Sequence, residues 1–547
     1  MPLKKKYCIL DCFVDEPACF GVPPFISPYP RYIYGALLDA DVQNEMIEYL
    51  TIDSLRENDY VFTDDYARVF MIGGAVVPGK YLGAKIGTLA EMKKIIALNR
   101  HSFFAVGGHA ARLFAAEERV APVYNDIEKY AFSLARGCPA DERRSPAEAA
   151  LWAKTGAPIV KRHPSYPHII CEIETYRGCP RQRHCSFCVE GLFGAPVFRQ
   201  IDEILEEIDA LSAAGAARFR IGRQADILQY MTKLKEFRNS FPKPESGAVI
   251  RLFGELKKRA KSGAVRLLNI DNANPGTIAN FPDESAAMLS AIAAAVTPGD
   301  TIALGIESFD PKVIVKNNLK VSAEQAFFAV KMINEVCGTP LLPGINLIHG
   351  LDAENTETFA LNYRALAGIM DSGLLLKRIN IRKHQPFPGT ALFGKPLRIT
   401  NQTKERFKFY KNKIRKEIDT AMMKRIYPVG AVLEDVMILE QRDGYSLGKR
   451  VASYSVTAKT PAPAPLKSFC EVVVTGHRER SVEAIPLPID INALPQRGLE
   501  FIPGINKKNA SDIILKRPFK NIDNFISFIN SMEIIIEPEI LKHCAIR

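Results

Sequence analysis

The sequence predicts an α/β protein of several domains: a Rossmann-like open sheet, a partial (β/α)6 barrel of the TIM type, a small β-barrel and a helical carboxyl end. Three observations carry this. The chain has 547 residues, more than one hydrophobic core organises. As far as Leu392, short apolar runs alternate with stretches whose apolar residues recur at helical spacing, the pattern of parallel sheets with helical crossovers. From Val429 onward, strands separated by Gly, Pro and charged residues take over before the pattern turns helical again. The expected boundaries are 1–120 for the Rossmann-like domain, 121–166 for a linker, 167–392 for the barrel, 393–427 for a basic helical segment, 428–490 for the β-barrel and 491–547 for the helical end.

Composition narrows the classes. Hydrophobic residues make up 47% and charged residues 24%, ordinary values for a globular protein. No run reaches the ~18 apolar residues of a membrane span. The basic residues at the start precede an apolar stretch that meets Asp11 too soon for a signal peptide, so a cytoplasmic location and no membrane partner are expected. A net charge of +11 suits an anionic partner, nucleic acid being the commonest, and is also compatible with plain solubility. Eleven cysteines are too sparse for a disulfide scaffold, and only Cys179, Cys185 and Cys188 are tightly grouped.

In chain order, Tyr7 to Leu10 reads as a strand, Arg31 to Leu38 as a helix, Val69 to Gly74 as a buried strand, Leu89 to Leu98 as a helix and Phe103 to Gly108 as a third strand. The pairs Gly73-Gly74 and Gly107-Gly108 fit tight strand-to-helix turns or a phosphate cradle. From His168 the pattern repeats six times: strands 168–175, 218–222, 265–270, 301–306, 344–348 and 378–381, with helices 200–213, 247–260, 283–296, 322–336 and 356–370 between them. Right-handed crossovers would close or nearly close a parallel barrel whose reactive groups belong at the carboxyl ends of its strands. The cysteines directly follow the first of these strands.

Three thiolates on one loop suit a soft metal centre. With three local cysteines, a four-iron cluster keeps one iron open, as a catalytic metal keeps a free position. A zinc site would need a second close pair, for which Cys171 is the only neighbour and lies in a strand. The stretch resembles the radical S-adenosylmethionine (SAM) superfamily, whose signature has three cysteines with three and then two residues between them; here the first gap holds five residues and the second, Ser186-Phe187, fits. The resemblance implies that Cys179, Cys185 and Cys188 bind a [4Fe-4S] cluster. SAM on the open iron would then be split by one electron to methionine and a 5′-deoxyadenosyl radical. It implies Phe187 beside the adenine, Glu307 and Ser308 near the ribose and methionine, Gly350 near the adenine, and Gly222 and Gln224 as a degenerate form of the element that holds the methionine amino group. It also implies a reductant such as ferredoxin or flavodoxin. The amino-terminal region resembles the cobalamin-binding domain that precedes many such barrels. It lacks the Asp-x-His-x-x-Gly element, so bound cobalamin is not expected; His109 is expected to be a surface or capping residue.

Residues 395–425 form a basic stretch in which Lys404, Arg406, Lys408, Lys411 and Lys413 surround Phe407, Phe409 and Tyr410, suited to phosphates if the aromatics pack inward, or to a solvated helix face. Strands are expected at 432–439, 451–456 and 471–475, around the loop Pro461-Ala-Pro-Ala-Pro465, in a β-barrel similar to the TRAM domain. Residues 499–514 resemble a helix-hairpin-helix. There Gly504, Asn506, Lys507 and Lys508 would hold a phosphate, Asn506 standing for a glycine in a left-handed turn; a hairpin used for packing or protein contact is the alternative. The whole arrangement resembles an archaeal family of iron–sulfur oxidoreductases with a terminal helix-hairpin-helix. The functions this leaves open are radical modification of a tRNA or rRNA base, radical modification (methylation or methylthiolation, for example) of a protein or small metabolite, and non-catalytic nucleic-acid binding around a structural cluster.

Overall fold

The computed structural model describes residues 6–75, 81–139, 143–395, 400–461 and 464–546. The basic start before Lys6, residues 396–399 of the basic stretch and residues 462–463 of the Pro-Ala loop lie outside the described residues. The chain divides into two compact units, Met1–Ala365 with Ile379–Lys404, and Leu366–Arg378 with Glu405–Arg547.

In the first unit, strand Lys6–Glu16 pairs in parallel with Ile47–Thr51 on one side and Tyr66–Ala75 on the other. Phe103–Gly107 and Val120–Pro122 continue the parallel order, and Cys19–Phe20 adds a short antiparallel edge. Residues Cys8 to Glu16 are all buried, as a sheet covered on both faces requires. Gly73 lies within strand Tyr66–Ala75, where a Cβ would strike the side chain of Met92. Close packing therefore explains that glycine without a phosphate.

Helix Pro28–Asp39, opened by prolines in its first turn, is buried from Pro28 to Leu37. Residues 127–136 and 146–155 are helices packed against it, so the stretch after the sheet wraps this helix. A Cβ on Gly35 would strike the backbone of Trp152, which is why the two helices approach so closely.

The barrel strands are Ile170–Glu174, Arg218–Gly222, Leu267–Ile270 with Asn272–Ala273, Asp300–Glu307, Leu341–His349 and Arg378–Lys383, in that spatial order. The third strand breaks at Asp271, whose N–H bonds to Ile221 O while its carbonyl accepts from Ala303 N, so the hydrogen-bonded order runs through the break. Phe25–Ile26 adds a parallel strand outside the first. The six units anticipated from periodicity are present.

Helix Asn401–Ile414, which enters the second unit at Glu405, continues through a π-type turn, Arg415–Asp419, into Thr420–Ile426. Of the two readings of this stretch, Phe409, 60% exposed, fits the solvated helix face, while Phe407 and Tyr410 are half-buried. A closed five-stranded barrel follows, of Val432–Arg442, Tyr445–Arg450, Thr457–Pro461, Phe469–His477 and Ser481–Pro486. The strand expected at 451–456 is instead the connection between Tyr445–Arg450 and Thr457–Pro461. Glycine at 444, with φ +76°, turns the chain early, and the alternating burial of Tyr445–Arg450 carries too few apolar residues to read as a strand.

At the carboxyl end, Gln496–Leu499 and Lys507–Lys516 flank a turn in which Gly504 has φ +94° and a Cβ would strike the carbonyl of Ile535. Asn506 is not left-handed: its φ is −88°, and its side chain caps the helix by accepting from Asn509 N at 2.9 Å. Ala510 is buried at the close contact, and Lys507 and Lys508 are exposed. Among the described residues no helix is long and apolar enough to cross a membrane.

One buried acid gives the fold a pH signature. Asp11 accepts from Phe13 N at 2.9 Å and from the Tyr49 hydroxyl at 3.0 Å. Burial outweighs these bonds and pushes its carboxyl up to about 7. A raised carboxyl favours folding while protonated, so this contribution is complete below the unfolded value of ~3.9 and is lost as pH rises through about 7. Urea midpoints are expected to fall between pH 5 and pH 8, and the fall to be shallower in Asp11→Asn; equal slopes in the two proteins would contradict the assignment.

Candidate functional site

The site is built on the first barrel strand. Ile170–Glu174 is buried throughout, and Tyr176–Arg177 then pairs antiparallel with Val197–Phe198. Between them Gly178, at φ +94°, starts the loop that carries Cys179, Cys185 and Cys188. Cys171 lies inside the strand, as expected.

Later crossovers pin this loop. Ser240 receives Gln182 N through its carbonyl and Arg183 N through its hydroxyl, at 3.1 and 2.9 Å. Ser186 N donates to Asn317 O at 3.0 Å, its hydroxyl to Asn317 Oδ1 at 2.8 Å, and its carbonyl accepts from Leu392 N at 2.9 Å. Segments from the second, fourth and sixth strand units therefore converge on ten residues.

Burial pushes the Cys179 thiol up to about 11 and the Cys188 thiol well above its usual range, and neighbouring thiols of the loop add to both shifts. Such thiols stay protonated near neutrality unless a metal displaces the proton. Among the described residues no three His, Cys, Asp or Glu side chains gather as a single metal ion would require. A cubane makes a different demand, because each cysteine takes a separate iron. The donor chemistry and the anchored loop fit a cluster of that kind.

Around the loop lies a charge network that sequence reasoning missed. Glu190 is buried two residues beyond Cys188, and its Oε2 accepts from Arg223 Nη1 at 3.1 Å. Burial alone would raise this carboxyl; Arg223 and His109 overcome it and hold it at about 2. His109 is 3% exposed, which corrects the surface alternative of the surface-or-capping expectation. Its backbone N–H donates to Glu16 Oε1 at 2.7 Å, its Nε2 lies 3.5 Å from Glu190 Oε1, and Phe193 and Phe387 flank the ring. The amino-terminal sheet thus reaches the cysteine loop through one histidine. Arg223, at φ +43°, also donates its backbone N–H to Glu172 Oε1 at 3.0 Å.

The other anticipated residues are spread over the strand ends. At Gly222 a Cβ would strike the Glu172 carboxylate. Gln224 is fully buried, its Oε1 accepting from Thr175 at 3.2 Å and its Nε2 donating to Ile221 O at 3.0 Å, so its amide is engaged by the barrel wall. Glu307, at φ +69°, pairs with Lys320 at 3.2 Å through Oε1, while Oε2 is buried without a hydrogen-bond partner. Burial works against the Lys320 charge, but Glu307, Cys185 and Cys188 raise its pKa overall. The Ser308 hydroxyl accepts from Asp310 N at 3.2 Å. Gly350, at φ +91°, donates its N–H to Glu354 at 3.0 Å. Phe187 packs with Leu319, Leu351 and Leu392, edge-on to His384. The positive φ angles of Arg223 and Glu307 are backbone strain located where strands end, whereas Gly350 takes its positive φ without strain.

Fold and site together define an α/β protein with a three-cysteine loop at the carboxyl end of the first of six parallel strands. No family model matches the chain. A protein of Archaeoglobus fulgidus, described as uncharacterized, is 36% identical over 524 residues, spanning 94% of this chain and 95% of its own length. A protein of Methanocaldococcus jannaschii, described in the same way, is 38% identical over 513 residues, or 87% and 92% of the two lengths. The chain belongs to the family of these archaeal proteins. Among solved structures, the radical SAM methyltransferase TsrM of Kitasatospora setae, with a tryptophan substrate and a SAM analogue bound, is similar at a TM-score of 0.49 and 16% identity, covering 71% of this chain and 75% of that one. TsrM has also been solved with cobalamin and a [4Fe-4S] cluster bound.

Removing one partner of a buried ion pair leaves the other charge uncompensated, at a cost of ~3–5 kcal/mol. Glu190→Gln and Arg223→Met are each expected to destabilise the protein on this scale in urea unfolding, and the double variant by clearly less than their sum. Additive losses would show that the pair is not coupled.

Proposed function

We propose that this chain is a radical SAM enzyme that modifies a nucleic acid, a tRNA or rRNA base. The observation that carries the first half is the anchored loop of Cys179, Cys185 and Cys188 at the barrel's carboxyl face, with Cys171 withheld in the strand behind it. When bound, a [4Fe-4S] cluster supplies the electron that splits SAM into methionine and a 5′-deoxyadenosyl radical. The three thiolates hold it, and a ferredoxin or flavodoxin is the class of donor that reduces it. Glu307, with one carboxylate oxygen unpartnered, is suited to the polar part of SAM. The backbone at Ser308, Gly350 and Gly222 offers close approach along the strand ends. Phe187, partly buried among leucines, offers an apolar face to the adenine. Gln224, committed to Thr175 and Ile221, supports the wall rather than the ligand. Cobalamin is not part of this reading, because the amino-terminal region lacks the Asp-x-His-x-x-Gly element.

The second half rests on the other unit. Its closed β-barrel, the exposed Lys408 and Lys416 of the basic stretch, and the exposed Lys507 and Lys508 beside Gly504 are each suited to phosphates, and the net charge of +11 favours an anionic substrate.

Two measurements test this. Nucleosides of total tRNA and rRNA from cells with and without the gene, compared by mass spectrometry, should differ by at least one modified base. RNA binding by the purified protein should weaken steeply with salt, and replacing Lys507 and Lys508 with alanine should reduce the log–log slope by about one per lysine. Identical nucleosides together with salt-insensitive binding would redirect the search to protein or small-molecule substrates.

A further inference from the structure

The five residues between Cys179 and Cys185 include Arg181, whose side chain folds back onto its own loop. Its Nη1 lies 3.2 Å from Cys185 Sγ, in hydrogen-bonding geometry. Both terminal nitrogens also reach the carbonyl of Asn318, each at 3.2 Å, and the guanidinium lies 4.8 Å from the centre of the Phe241 ring. The residue is 7% exposed. Phe241 comes from the segment after the second strand and Asn318 from the segment after the fourth, so two crossovers fix the direction in which the guanidinium points. Neither Asn318 nor Phe241 carries a charge. A buried cation held by a neutral carbonyl and an aromatic face keeps its full field for whatever lies next to it, which here is the Cys185 sulfur.

A guanidinium cannot shed its proton, and its planar fork delivers an N–H to an acceptor at fixed geometry. Hydrogen bonds to ligating sulfurs and the charge around a cluster are the levers by which a protein sets its reduction potential. A fixed positive charge and an N–H···S bond stabilise the state with more negative charge, which is the reduced one. Lys320 also carries charge near Cys185 and Cys188, but its ammonium is spent on Gly305 O and the Glu307 carboxylate. Arg181 has no carboxylate partner among the described residues.

We propose that Arg181 is a positioning residue for the cluster: by donating to the Cys185 sulfur it raises the reduction potential of the centre held by the three cysteines, and the long first gap of the loop exists to return this side chain to that sulfur. The inference rests on the cluster-binding reading above. The test uses the full-length protein reconstituted anaerobically with iron and sulfide, alongside Arg181→Met and Arg181→Lys. Iron and sulfide content is measured first, then the midpoint potential by redox titration followed by electron paramagnetic resonance. Wild type without four irons per chain would sink the cluster reading itself. With clusters present, Arg181→Met is expected to lower the midpoint by about 59 mV, a tenfold change in the one-electron equilibrium. Arg181→Lys, which keeps the charge without the fork, should fall between the two. A cluster-bearing variant of either kind with the wild-type midpoint would overturn the proposal, whatever its folding stability. Loss of activity alone would not support it.

Discussion

Within the first unit, the structure depends on buried charges that neutralise one another, with backbone carbonyls and the Tyr32 hydroxyl completing their hydrogen bonds. Arg177 donates to Glu174 at 2.6 Å and to Asp126 at 2.5 Å and lies 2.9 Å from Glu128; Arg144 pairs with Glu128 at 2.6 Å and also with Glu174. On the opposite flank Arg31 and Arg199 share Glu207, which is completely buried. Each ion, moved alone out of water, would cost several kcal/mol, so these groups tolerate burial only while sheet, wrapping helices and first barrel strand keep their geometry. That constraint explains why the amino-terminal sheet and the barrel form a single compact unit.

The same constraint reaches the site. The Arg177–Glu174 pair brackets the turn into the cysteine loop, and Glu190 with Arg223 and His109 brackets its exit. Between the brackets the loop is held by backbone and hydroxyl hydrogen bonds from Ser240 and Asn317. A loop fixed from both ends and from several crossovers is preorganised, and the raised pKa values of Cys179 and Cys188 mean that metal binding by these two thiols must release protons. The candidate enzyme therefore invests its specificity in the protein around the thiols rather than in the thiols' own reactivity.

How much of this was legible in the sequence depended on the range of the interaction concerned. Helix Leu89–Leu98 and strand Arg218–Gly222 were readable because helical periodicity and short apolar runs are local signals. The cysteine loop was readable because three soft ligands close in sequence are rare. The strand Tyr445–Arg450 was hidden, since in a small barrel half of its residues face outward. Asn506 was misjudged because capping and left-handed turns favour the same residue, and only the backbone angle separates them. The Glu190–Arg223–His109 cluster was invisible: its members lie 33 or more positions apart and carry no motif, and only the packing of a sheet against a barrel brings them together. Arg181 stood in plain view as an apparent defect in the cysteine spacing.

In the proposed function the three cysteines leave one position of a cluster open to SAM. The most direct measurement is the electron paramagnetic resonance spectrum of the dithionite-reduced, reconstituted protein before and after addition of SAM, with isotopically labelled methionine nitrogen or carboxylate oxygen to reveal coupling to iron. A changed spectrum and resolved coupling from the label are expected. An unchanged spectrum from a fully loaded cluster, or coupling from a fourth protein ligand in its place, would contradict the proposed function.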